Sequence, residues 1–298
     1  MSIDNPMNPP LIENVLPARA RLGECPLWDA EQQKLYWVDV YNHRVHLFDP
    51  VTGNDIYFDT GDVVSAIVLA GKDRLLIAQG DRIAFLSTVT GRVTPLYKTE
   101  FPYPNTRFND GKCDSQGRFW IGSISEALGQ AELYRYDPDG SLQVMERGLT
   151  ISNGLGWSPD GETFYLTDSA QRKIYAYEFD VKTGAISDRR VLIDLSDEIA
   201  EPDGLAIDGQ GNIWSALWNG WGIACFDPNG QEIFRVKLPV QRPTSVTFGG
   251  SHLTDLYITS ASVGLSQKEI QQGFNAGDLF RFSTQFLGTS AQSFLGSS

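Results

Sequence analysis

Short apolar runs, each stopped by a polar turn rich in Asp-Gly, Asn-Gly or Gly-Gly, follow one another along nearly the whole chain. KLYWVDV (34–40), RLLIAQG (74–80), GRFWIGS (117–123), TFYLTD (163–168) and NIWSALW (212–218) are typical, rich in aromatic and β-branched residues. Runs of this length between such turns predict β-hairpins rather than helices. Sustained 3.6-residue periodicity is nearly absent; only DLSDEIA (194–200) and SQKEIQQ (266–272) are expected to form a helical turn each.

The runs recur in blocks: strand, polar turn, aromatic strand, third strand, then Asp-Pro or Thr-Gly. Taking Trp28, Val68, Cys113, Trp157, Ile207 and Phe248 as the centres of the first strands gives steps of 40, 45, 44, 50 and 41 residues. Six units of that size predict an all-β fold, a six-bladed β-propeller spanning 1–298 as one domain. Residues 12–22 (IENVLPARARL) are expected to lend an outer strand to the last blade and so close the ring without a free edge, leaving 1–11 as a flexible N-terminal extension. Two β-sandwiches are the alternative, but no linker separates two halves and the regular repeat would be unexplained.

Registering the blocks exposes candidate chemistry. The residue four positions before each strand centre is Glu24, Val64, Asn109, Asn153, Asp203 and Thr244. Innermost propeller strands begin at one face of a central channel, so these positions converge on the axis. Four carry a carboxylate or carboxamide oxygen. Asp-Gly and Asn-Gly are favoured turn pairs, which would explain Asn153-Gly154 or Asp203-Gly204 singly; Glu24, in GECPLW, has no turn preference and falls on the same register. An oxygen-only set suits one hard divalent cation. Such a site would polarise a carbonyl or acidify a water, with Asp203 placed to take the proton.

Composition narrows the classes. Twenty-four basic against thirty-seven acidic residues give a net charge of −13, which argues against nucleic acid and anionic membranes as partners. Cys25, Cys113 and Cys225 form no CxxC pair and read as reduced core thiols; with no signal-peptide pattern or long apolar run, a cytoplasmic protein is expected. GxSxG, HExxH and GxxxxGK are absent, and His43, His46 and His252 all lie off the channel register. That leaves metal-assisted hydrolysis of an activated ester or lactone.

The stretches ARLGECPLW (20–28), RFNDGKCDSQGRFWIGS (107–123), ISNGLGWSPDG (151–161), EPDGLAIDGQGNIW (201–214), LPVQRPTSVTFGG (238–250) and LYITSA (256–261) together resemble the SMP-30/gluconolactonase/regucalcin-like family of six-bladed propellers. The resemblance implies metal-dependent hydrolysis of a sugar (aldono-)lactone, with Glu24, Asn153 and Asp203 as metal ligands and Asp203 as general base. It implies that Arg107 and Asn109 hold the substrate, which moves Asn109 out of the ligand set. Some members use a further Glu after the second strand of this blade; Glu126 stands one residue from that position. The expected cofactor is one divalent ion, calcium first, with Zn, Mg, Mn or Fe(II) as alternatives, and the expected partner is a small sugar lactone bound by a monomer or weak homodimer. Alternatives are an esterase or phosphotriesterase on the same scaffold, for which Arg107 is poorly motivated, and a non-catalytic calcium-binding propeller.

Overall fold

A computed structural model describes residues 11–272 and 275–296, so the extension expected at 1–11 lies, except for Leu11, outside the described residues. The described chain forms six four-stranded antiparallel sheets. Their innermost strands are Gly23–Asp29, Val64–Leu69, Arg107–Cys113, Ser152–Trp157, Glu201–Ile207 and Pro243–Gly249. Each packs on the next around a ring, and the first packs on the last. The result is a six-bladed β-propeller. Blades 1 to 5 run in sequence order over 23–59, 64–98, 107–149, 152–194 and 201–237. Blade 6 combines 243–283 with Glu13–Leu16, which pairs antiparallel to Leu279–Ser283 as its outermost strand. The ring is thus closed by hydrogen bonds between the two ends of the repeat, as the pattern at 12–22 predicted.

Burial falls from the axis outward. The second strand of blade 1, Lys34–Asp39, is buried at five of six positions, whereas the fourth, Asp55–Asp59, has no buried residue. The apolar core therefore sits between blades, as sheets stacked face to face require. Polar brackets hold the turns that lead out of the channel. Asp114 accepts from the backbone N–H groups of Gln116 and Arg118, from Arg118 Nε at 2.6 Å and from Trp120 Nε1 at 2.9 Å. Asp208 repeats this in blade 5 with Gln210, Asn212 and Trp214 Nε1. Trp120 and Trp214 are consequently core residues with satisfied N–H groups.

Gln267–Gln272 forms a single short α-helix, whereas 194–200 forms no helix but one turn closed by the Glu198 N–H on the Leu195 carbonyl at 2.9 Å. Asp194 ends a strand, and its carboxylate accepts from the backbone N–H and hydroxyl of Ser196. That local bonding competes with a helix. His46 lies in the third strand of blade 1, bonded to Asp55 at 2.6 Å and stacked on Trp37, away from the axis. Among the described residues no helix is long and apolar enough to cross a membrane.

Candidate metal centre

All six innermost strands carry a β-bulge at the same place, where register shifts between Glu24 and Leu27, Val64 and Ala66, Phe108 and Gly111, Ser152 and Leu155, Pro202 and Leu205, and Pro243 and Val246. A bulge leaves one residue unpaired and re-aims its side chain. The registered series Glu24, Val64, Asn109, Asn153, Asp203 and Thr244 falls on or beside these bulges, so the repeat that marks the fold also marks the residues turned toward the channel.

The glycines after Asn153 and Asp203 have a different role from the one suggested by turn chemistry. Asn153-Gly154 and Asp203-Gly204 lie inside strands, not turns. A Cβ on Gly154 would collide with the backbone of Asp203 and Leu205, and one on Gly204 with Ser245. Neighbouring inner strands approach so closely here that only glycine fits.

Two of the candidate side chains present unmet oxygens. Asn153 is 6% exposed and Asp203 4%. Asn153 Nδ2 donates to Ser169 Oγ at 3.1 Å, and that hydroxyl donates to the Pro202 carbonyl at 2.7 Å. Because the Ser169 proton is committed to Pro202, the hydroxyl must accept from Asn153, which fixes the carboxamide with Oδ1 toward the channel. Asn153 Oδ1 and Asp203 Oδ1 are both buried without a hydrogen-bond partner. Buried orphan acceptors are costly unless something is meant to meet them.

Electrostatics point the same way. Burial, then the charge of Asp110, pushes the Glu24 carboxyl up to about 8. Asp203 is raised well above its ordinary value by burial first, then by the charges of Glu24, Asp110 and Glu201. Asp110, 8% exposed, is itself raised by burial. Three carboxyls repel one another at one end of a narrow channel. The nearest counter-charges are Arg107, which lowers Glu24, and Lys112, which lowers Asp110. Two carboxylates, one oriented carboxamide oxygen and an excess of negative charge fit a hard divalent ion. Among the described residues no group of three or more His, Cys, Asp or Glu is arranged as a metal site; the set here has only two carboxylate members, its third oxygen coming from Asn153.

Arg107 and Asn109 lie on the same rim. Arg107 Nη1 donates to Asn109 Oδ1 at 3.1 Å, and Asn109 Nδ2 donates to the Ser152 carbonyl at 3.0 Å. Asn109 thus ties Arg107 to blade 4, with both ends of its amide engaged. Glu126 is exposed on the loop beyond the strand that pairs with Arg107, where it accepts from Asn105 Nδ2 at 3.3 Å.

Other conspicuous residues fall outside the site. Asp39 accepts from the backbone N–H groups of Arg21 and Leu22, and Asp168 from those of Thr150 and Ile151. They hold neighbouring backbone rather than channel groups. The Lys112 ammonium donates to the Leu205 carbonyl at 3.0 Å while its charge also lowers Asp110. Asp110 and Ser169 were not singled out by the spacing; the signal for Asp110 was its place in the bulge of RFNDGK.

A cavity of about 370 Å³ adjoins the carboxyl cluster at Asp110, which lines it with Lys112, Leu205 and Val246, whereas Glu24, Asn153 and Asp203 do not. The C-terminal segment crosses this end: Gly209 donates to Leu287, Phe294 to Leu69 and Leu295 to Gly117 through backbone bonds spanning blades 5, 2 and 3.

The SMP-30/gluconolactonase/LRE-like region model matches residues 22–262, which includes Glu24, Asn153 and Asp203. The chain belongs to this family. It is 35% identical over 283 residues to pentonolactonase XacC of Haloferax volcanii, covering 93% of this chain and 96% of that one. It is 34% identical over 275 residues to regucalcin of Danio rerio, covering 91% and 93%. A crystal structure of a calcium-binding regucalcin from Agrobacterium tumefaciens superposes with a TM-score of 0.92 at 25% identity, covering 96% of this chain and 98% of the other. The match to SMP-30/gluconolactonase-like proteins thus extends over the whole ring.

Proposed function

We propose that this propeller is a cytoplasmic, metal-dependent lactonase that opens a sugar lactone to its aldonic acid. The observation that carries the reading is the pair of orphaned oxygens, Asn153 Oδ1 and Asp203 Oδ1, beside Glu24 at the end of the channel where Arg107 stands. Similarity to a pentonolactonase supports the substrate class, and the free, buried Cys25, Cys113 and Cys225 support a reducing compartment.

Glu24, Asn153 and Asp203 would hold one divalent ion. Calcium is the preferred candidate, because every donor is a hard oxygen and a structural relative is described as calcium-binding. When bound, the ion supplies Lewis acidity toward the lactone carbonyl. The protein's own groups supply the rest. Asp203 takes a proton from the attacking water as its oxygen bonds to the carbonyl carbon. The ring C–O bond then breaks, and the alcohol oxygen leaves with a proton returned from Asp203. Arg107, held by Asn109, donates to the sugar's oxygens and fixes the ring over the ligands, with Glu126 accepting from a hydroxyl at the rim.

The test is a panel of gluconolactone, xylonolactone and galactonolactone, followed by acid release on metal-stripped protein with single ions restored. Turnover that returns with one ion supports the reading; absence of metal-dependent turnover on every lactone defeats it.

A further inference from the structure

The rim of the channel holds a guanidinium that this scheme leaves unused. Arg21 lies three residues before Glu24, and its backbone is pinned on both sides. Its N–H donates to Asp39 Oδ2 at 3.1 Å, and its carbonyl accepts from Ser262 and Val263. Its side chain is exposed, makes no salt bridge among the described residues, and sits 5.5 Å from the ring centre of Tyr41. Arg107 sits 6.0 Å from the same ring. Tyr41 is itself half-buried in the tight turn Val40–Asn42 that follows the second strand of blade 1. Two guanidiniums thus lie within about 6 Å of one aromatic ring at the entrance to the candidate site.

The contrast with Arg242 is informative. That guanidinium lies over Trp218, but its Nε donates to Asn219 Oδ1 at 2.8 Å and its Nη1 to the Val263 carbonyl, so it is committed to protein partners. Arg107 uses one nitrogen, Nη1, for the Phe108 carbonyl and Asn109, leaving the other face of its fork open. Arg21 donates to no protein acceptor through its side chain among the described residues. Neither arginine makes a salt bridge among the described residues, although the charge of Arg107 acts on Glu24, so both guanidiniums keep donors free at the rim. A planar guanidinium presents its donors as a fork that matches a bidentate anion, and two such forks stand beside one ring here.

We propose that Arg21 and Arg107, beside Tyr41, bind an anionic substituent on the lactone distal to the scissile carbonyl, so that the preferred substrates are acidic sugar lactones carrying a carboxylate or a phosphate. Arg21 is then a specificity-determining residue. The inference rests on the lactonase reading, and its test separates the two.

Three lactones of one ring size are compared at fixed metal and low salt: a neutral aldonolactone, an aldarolactone with a free carboxylate, and a 6-phosphorylated aldonolactone. The expected result is a kcat/KM at least about tenfold higher for one of the anionic lactones than for the neutral one, with the favoured anion naming the source. Arg21→Gln should shrink that ratio by about tenfold or more through KM, and raising ionic strength should shrink it in the wild type. Arg190→Gln, on an exposed outer strand, removes the same charge elsewhere and should leave the ratio unchanged. Turnover of the neutral lactone with equal or poorer turnover of both anionic ones overturns this inference while the lactonase reading stands. An anion preference that survives in Arg21→Gln also overturns it. Failure of all three lactones defeats the lactonase reading itself.

Discussion

Ser169 Oγ stands between Asn153 Nδ2 at 3.1 Å and the Pro202 carbonyl at 2.7 Å, so one hydroxyl orients a candidate ligand of blade 4 against the backbone leading to Asp203 in blade 5. Partners behind a metal ligand set its orientation, and their loss commonly costs about 10–100-fold in metal affinity. Ser169→Ala is therefore expected to weaken divalent-ion binding by roughly tenfold, read by calorimetric titration of metal-stripped protein. Because only one buried hydroxyl is removed, unfolding should shift by about 1–2 kcal/mol. Unchanged affinity in a folded variant would show that Asn153 Oδ1 does not meet the ion.

Asp203→Asn keeps the volume and removes the base. The fold should persist, since the carboxyl makes no side-chain contact that organises the ring, while kcat falls by about 10²–10⁴-fold. Stopped-flow acid release with the metal-saturated variant checks it. Near-wild-type turnover would take Asp203 out of its proposed role.

The carboxyl cluster gives the metal-free protein a definite pH dependence. Glu24 is raised from 4.5 to about 8, and Asp203 and Asp110 are raised in the same direction. Folded protein then holds protons that the unfolded chain has released, so stability falls as pH rises from about 4.5 through about 8. Glu24 alone can contribute up to about 1.4 kcal/mol per pH unit across that window. A saturating divalent ion supplies the missing counter-charge and should flatten the slope. Thermal melts in chelator and with calcium, on wild type and Glu24→Gln, measure it. If the chelated protein keeps its Tm from pH 5 to 8, or if Glu24→Gln has the wild-type slope, the cluster is not ionised as described.

Much of this was legible in the sequence because a propeller repeats its geometry. The spacing of Trp28 through Phe248 gave the blades, 12–22 gave the closing strand, and the register picked out Glu24, Asn109, Asn153 and Asp203 as oxygen-bearing candidates. Local chemistry misled where tertiary contacts set the rule. Asn153-Gly154 and Asp203-Gly204 have turn composition, yet the glycines answer to the neighbouring strand. DLSDEIA has helical spacing, but an Asp194–Ser196 turn competes with it. Ser169 gave no signal because its partner, the Pro202 carbonyl, is a backbone group more than thirty residues away. No side-chain pattern announces a carbonyl acceptor.

Gly154→Ala tests the close approach directly. The added methyl would meet the Asp203 and Leu205 backbone, which a side-chain rotation cannot relieve. Overpacking of this kind typically costs about 1–3 kcal/mol. Gly53→Ala is the comparison: its φ is +74° but nothing lies within 4 Å of a new Cβ, so its cost is backbone strain alone, about 1 kcal/mol. Denaturant unfolding should rank Gly154→Ala as the less stable, with metal affinity also reduced because Asp203 must move. Equal stability of the two variants would mean that the inner strands can part without loss.

Asp114 offers the sharpest stability test away from the site. Its carboxylate is buried and accepts from two backbone N–H groups, Arg118 Nε and Trp120 Nε1, while Arg118 also donates to the Val181 carbonyl of blade 4 at 2.7 Å. Asp114→Ala leaves a guanidinium that is 8% exposed without its anion and strands an indole N–H in the core. Removing one partner of a buried ion pair costs about 3–5 kcal/mol, far more than the pair contributes when intact, because the remaining charge stays desolvated. The double variant Asp114→Ala with Arg118→Met removes that charge as well and should recover part of the loss. A double variant no more stable than Asp114→Ala would assign the damage to the turn's backbone N–H groups and Trp120 instead of to Arg118. In either variant the ligand rim is remote from the change, so metal affinity should stay within about twofold of wild type once the protein is folded.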